Sequence, residues 1–150
     1  MRKCYLLLPL CPVYGIAMLA VVELTAGWTD NFWWQAVCGG VIATAVEYVV
    51  HFLYEKLLGV MFWDYSDTHL DLHRRICYPF SIAWGLLSAL SVWYIQPLLL
   101  PLIAAIAPQV TLLFTLLLVA DTFFTIRLLL LFHDIDLLGL PNLWRALRST

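Results

Sequence analysis

The sequence predicts an all-α fold: a polytopic membrane helical bundle of four transmembrane helices plus a short proline-rich interfacial segment. Three observations carry this expectation. Hydrophobic residues make up 63% of the 150-residue chain and charged residues 12%, against roughly 45–50% and 25% in soluble domains. Four apolar runs reach the length of about 20 residues that crossing a hydrocarbon layer takes. The runs are also continuous, whereas the strands of a membrane β-barrel alternate apolar and polar residues. With a mean hydropathy of +0.89, residues 1–150 form one transmembrane domain.

The first helix is expected over about 5–26. It follows Arg2 and Lys3 and contains Pro9, Pro12 and Gly15. The run is longer than the core of a signal peptide, and "ELTAG" is a poor cleavage site, so a retained, bent helix is expected. A polar break at Gly27–Asn31 precedes the second helix, about 32–57, whose "FWW" start is an interfacial aromatic anchor. A loop, 58–75, holds most of the polar residues in this part of the chain. The third helix, about 76–95, ends on Trp93 and Tyr94. The stretch Gln96–Gln109 is uncharged and carries Pro97, Pro101 and Pro108. It is too short to span alone, so an interfacial or re-entrant element is expected there. The fourth helix covers about 109–132, and a tail, 133–150, is broken by Pro141.

Charge placement sets an orientation. Lys and Arg beside helix ends mark the cytoplasmic side. Four crossings put Arg2, Lys3, Lys56, Arg74, Arg75, Arg145 and Arg148 on one side and none on the other. Arg127 lies inside the fourth run, where its long stem can snorkel to the interface. Both termini and the 58–75 loop are therefore expected in the cytoplasm, and the protein in the plasma membrane.

The net charge of −2 gives no sign of nucleic acid binding. Cys4, Cys11, Cys38 and Cys77 lack CxxC spacing and lie in or beside apolar runs, so they read as buried reduced thiols. There is no GxxxxGK[ST] phosphate loop, so the chain does not itself drive transport by nucleotide hydrolysis. HExxH, GxSxG and Cys/His zinc patterns are absent too. No catalytic residue, cofactor or metal ligand is assigned.

Ionisable groups inside a bilayer are expensive and face a bundle interior. Glu23, Glu47, His51 and Asp121 are the candidates. Glu47, His51 and Glu55 are four residues apart and share one helix face, which continues through Gly40, Ala43 and Thr44. Small residues let helices approach closely, and Ser81, Gly85 and Ser88 offer a matching face on the third helix. With Asp121 beside Thr125 on the fourth, a polar seam is expected. Its roles stay open: helix–helix glue, a substrate or ion pathway through Glu47, His51, Glu55 and Asp121, or catalysis. In the loop, His69 and His73 with Asp67 and Asp71 suit a divalent metal only if that segment is helical; otherwise it is a solvated loop.

The segments "LLPLCPVYGIAML", "VEYVVHFLYEKLLGVMFWDYS" and "RICYPFSIAWGLL" resemble the ABC-transporter type IV (CmpB-like) family of bacterial membrane proteins. The resemblance covers roughly Tyr5 to Arg127. It implies that Pro12, Tyr14, Gly15, Glu47, Tyr48, Glu55, Lys56, Trp63, Asp64, Tyr65, Ser66, Arg75, Trp84 and Gly85 occupy motif positions. Asp71 and Arg74 depart from the pattern, which carries asparagine and glycine there. A permease-like transporter subunit is thus expected, surrounded by lipid and too small to enclose a path alone. It would act with further copies of itself or a separate cytoplasmic ATPase subunit. Trp63, Asp64, Tyr65, Ser66 and Arg75 are the expected partner-docking or headgroup site, Trp63 and Tyr65 supplying apolar anchors. The alternatives are a membrane enzyme acting on a lipid or isoprenoid headgroup through Glu55, Asp64, Asp71 and Arg75, and a structural or regulatory subunit.

Overall fold

Asn31 stands just before a long apolar helix. In the computed structural model, which describes residues 8, 10–28 and 30–139, its side-chain carbonyl accepts the N–H groups of Trp33 (2.9 Å) and Trp34 (3.1 Å). Those are two of the orphan donors at the start of helix α2 (Phe32–Leu53), which makes Asn31 an N-cap. The helix continues through a π turn, Tyr54–Leu58. It stops at Gly59, whose φ of 67° is left-handed and suits a residue without Cβ.

Among the described residues three helices are long and apolar enough to cross a membrane: Phe32–Leu58, Tyr78–Ala104 and Pro108–Phe132. Helix α1 (Pro12–Thr25) is apolar and 14 residues long. The expected first helix began near residue 5, and residues 5–7 and 9 lie outside the described set, as do Thr29 and 140–150 of the tail. Pro12 is the first residue of α1, where its missing N–H breaks no helical bond.

The third span runs past Trp93 and Tyr94. Helix α3 (Tyr78–Leu90), a π turn (Ser91–Ile95) and helix α4 (Gln96–Ala104) follow without a break. The proline-rich stretch is thus helical and continuous with the third helix as far as Ala104. A proline ring clashes with the carbonyl four residues earlier in an α turn; the wider π turn just before Pro97 gives it room. Pro108 then opens helix α5 (Pro108–Phe132) at the position prolines favour.

The chain divides into two compact units. One comprises Val13–His51 and Trp63–Ile106. Its helices α1 and α2 are tied by a buried bond from Gln35 Nε2 to Thr25 Oγ1, 2.9 Å, while Thr25 Oγ1 donates to the Val21 carbonyl, 2.7 Å. Helices α2 and α3 meet through glycine. A Cβ on Gly85 would fall 2.6 Å from the Ala36 carbonyl oxygen, and one on Gly39 2.6 Å from Ser88 Cβ. The small-residue faces expected on these helices are where they touch.

The other unit comprises Met1–Pro12, Phe52–Phe62 and Ala107–Thr150. On α5, Asp121, Thr125 and Leu129 form the buried stripe, four residues apart, while most of its other apolar side chains are exposed, as befits a helix bathed in hydrocarbon. The Leu58 carbonyl at the end of the π turn accepts from His133 Nδ1, 2.8 Å. A carbonyl only accepts, so Nδ1 carries the hydrogen. Among the described residues Cys38 and Cys77 are free thiols; Cys77 is buried, while Cys11 and Cys38 are partly exposed.

Candidate functional site

The segment from Trp63 to Arg75 is neither a helix nor a loose loop. Asp64 Oδ1 accepts the Ser66 N–H at 2.9 Å, and Thr68 returns both its N–H and its hydroxyl to the Tyr65 carbonyl. Strand β1 (Asp71–Leu72) then pairs antiparallel with β2 (Ile76–Cys77). The turn between them places His73 and Arg74 at φ 53° and 63°, and the Arg75 N–H closes it on the Leu72 carbonyl at 3.1 Å. Two successive positive φ values are what a primed hairpin turn needs, and glycine is the residue that adopts them freely. Arg74 stands where the family resemblance leads one to expect glycine, and it adopts the conformation glycine prefers.

Side chains hold the strained turn. Asp71 Oδ2 accepts the Arg74 N–H at 2.7 Å. The Arg74 guanidinium engages both Asp64 oxygens, with Nε 3.2 Å from Oδ1. Arg74→Gly therefore loses this pairing but relieves the backbone, whereas Arg74→Ala only loses the pairing. The glycine variant is expected to be more stable than the alanine variant by about 1 kcal/mol, measured by thermal unfolding in detergent.

The Arg74 hydrogen bonds, followed by the Ser66 N–H, hold the Asp64 carboxyl well below the usual aspartate range. Its folded value lies below its unfolded one. The stability it contributes is thus full above about pH 4 and lost as pH falls through the folded value. Protection of the amides of residues 64–75 from hydrogen exchange, taken relative to free-chain rates at each pH, should fall in acid in the wild type. In Asp64→Asn that protection should already be low at neutral pH and change little on acidification. Because the pair is exposed, salt should weaken it too.

This folded segment is fastened to α2 at three points. The Tyr65 hydroxyl donates to Glu47 Oε1 at 3.0 Å, with the Trp84 indole alongside the same carboxyl. His51 Nε2 lies 2.9 Å from the Trp63 carbonyl, so Nε2 carries the hydrogen; the two rings meet edge-on with centroids 5.1 Å apart. Arg75 Nη1 donates to the Tyr48 hydroxyl at 3.0 Å and lies over that ring. That leaves the Tyr48 proton for His73 Nδ1, 3.1 Å away. Trp63 links the first and last residues of the segment, because its indole N–H donates to the Arg75 carbonyl at 3.0 Å.

Glu47 is the centre of the arrangement. It is 8% exposed, and its Oε2 has no hydrogen-bond partner among the described residues. Burial, followed by the facing Glu47 carboxylate, pushes the Tyr65 phenol above the usual tyrosine range. The phenol therefore keeps its proton and remains a donor to Glu47 throughout the neutral range.

Glu47 and His51, expected to share a face, are buried together in the first unit. Asp121 and Glu55 belong to the second. Asp121 is 1% exposed and its Oδ2 accepts the Leu8 N–H at 2.8 Å. Glu23 is exposed near the end of α1. Trp63 and Tyr65, expected as outward anchors, turn their polar atoms inward to the fastening. The outward apolar side chains of the segment are Leu70 and Leu72. His69 and His73 are not on a common helix face, and among the described residues no three His, Cys, Asp or Glu side chains gather as a metal site would require. Sequence reasoning missed Gln35, and it gave no role to Tyr48 as the acceptor for Arg75. An uncharged amide in an apolar helix is the signal that could have found Gln35.

Residues 1–126 match the family described as "Putative ABC-transporter type IV". The chain belongs to this family. The match takes in Glu47, His51 and the whole Trp63–Arg75 segment, and stops within α5. Membership and the long apolar helices make this a transporter-related membrane protein. No curated protein and no solved structure matches the chain.

Proposed function

We propose that the chain is a permease-like membrane subunit whose Trp63–Arg75 segment docks a separate cytoplasmic ATPase subunit. The observation that carries this reading is the bond between Tyr65 and Glu47. It joins an ionisable group within a span directly to a folded segment outside it, so a push on one reaches the other. The outer surface of that segment offers Leu70 and Leu72 among Asp67, His69 and Arg74, an apolar centre with a polar rim such as docking sites have. In this reading both chain termini and the segment are cytoplasmic, and Glu47 and His51 in one unit, and Glu55 and Asp121 in the other, each serve substrate or ion passage together with further subunits.

Purification from native membranes in a mild detergent, with mass analysis of the complex, tests it. An ATPase subunit is expected in fixed ratio, and Leu70→Asp with Leu72→Asp should release it while the protein still inserts and stays monodisperse. Recovery of the chain only as a homo-oligomer would overturn the ATPase-coupled reading.

A further inference from the structure

A groove of about 690 Å³ runs along the outside of the α2–α3 contact. Its floor is Gly40 and Gly85, where the two backbones approach. Its walls include Val41 and Ile82, which are 66% and 69% exposed. No charged residue lines it. From Trp33 to Ala45 it follows α2 for roughly 18 Å, close to one leaflet of a hydrocarbon core about 30 Å thick. A groove of that length with an uncharged wall accepts one extended acyl chain.

Two further observations say which lipid. Thr44 lines the groove, and its hydroxyl, buried and with no partner among the described residues, can be turned by side-chain rotation toward an ester carbonyl. One helical turn further along α2, Arg75 holds its guanidinium over the Tyr48 ring, 5.1 Å from the centroid. The N-terminus of α3 opens at the same end, at Tyr78, and its macrodipole is positive there. Apolar wall, hydroxyl and positive charge follow one another in the order of an acyl chain, an ester and a phosphate.

We propose that this groove is a retained site for an anionic phospholipid, with an acyl chain along Val41 and Ile82 and its phosphate at Arg75. The site is independent of the transporter reading and would stand if that reading failed.

The test uses the full chain in phosphatidylcholine vesicles containing a minor fraction of phosphatidylglycerol with a photoactivatable acyl chain. Labelling at Val41, Ala45 and Ile82 is expected to exceed that at Leu112 and Leu116, on the exposed face of α5, by about tenfold, what one charge-assisted hydrogen bond is worth. Ala45→Trp, and separately Ile82→Trp from the other wall, should reduce groove labelling to the α5 level. Arg75→Gln should remove the preference for phosphatidylglycerol over a phosphatidylcholine probe. Equal labelling of groove and α5, or no headgroup preference in the wild type, overturns the proposal. So does a Val41→Cys disulfide between copies, which would give the groove to a second chain.

Discussion

Gly85→Leu is expected to prevent the protein from reaching its folded state. The reason is backbone proximity. A Cβ alone at residue 85 would stand 2.6 Å from the Ala36 carbonyl oxygen and 3.4 Å from Gly40 Cα. Neither is the tip of a flexible side chain, so α2 and α3 must move apart. Separation would also displace Gly39 from Ser88 and the Trp84 indole from the Glu47 carboxyl. Overpacking by a few atoms costs typically about 1–3 kcal/mol, and a leucine here exceeds that because membrane helices associate through close packing rather than through exclusion of water. Even Gly85→Ala should fall within the overpacking range. Gly15 is the control. Nothing lies within 4 Å of its Cβ position, and it sits inside α1, so Gly15→Ala should stabilise by about 0.5–1 kcal/mol. Thermal unfolding of the purified variants, read by loss of monodispersity, separates the two. Wild-type stability in Gly85→Leu would mean that the helices do not meet at this glycine.

The contrast between those glycines also marks how far the sequence could be read. Gly40, Gly85 and Ser88 were legible as contact positions because they recur at helical spacing among larger residues. Glu47 and His51 were legible because an acid and a histidine four apart in an apolar run can hardly face lipid. The direction of Trp63 and Tyr65 was not. Their partners, His51 and Glu47, lie 12 and 18 residues earlier, and aromatic residues in a polar segment serve equally well as outward anchors or inward ties. One partner of Asp121 was further out of reach, being a backbone N–H 113 residues away. The proline-rich stretch misled for a different reason. Three prolines in an uncharged run argue for an interruption, and only the π turn at Ser91–Ile95 lets the helix absorb Pro97. No residue pattern announces a π turn.

On the proposed permease reading, Glu47→Gln is expected to leave the fold standing and to abolish transport. The amide is isosteric, and its oxygen can still accept the Tyr65 hydroxyl now 3.0 Å from Oε1. Stability should therefore change by less than about 1 kcal/mol, within the range of one neutral hydrogen bond. What the amide cannot do is gain and lose a proton or present a full negative charge. If Glu47 lies on a substrate or ion path, that loss stops turnover even in a well-folded subunit. Glu47→Leu supplies the structural comparison: it strands the half-buried Tyr65 hydroxyl, for a penalty of about 1–3 kcal/mol. Tyr65→Phe removes the same bond from the other side, and leaves the carboxyl in place while loosening the segment from α2. Flux measured with the reconstituted complex, beside the unfolding midpoint of each variant, resolves the roles. A path predicts lost flux at an unchanged midpoint in Glu47→Gln. Full flux in that variant, with a lowered midpoint in Glu47→Leu, would make the carboxyl a tie between helix and segment.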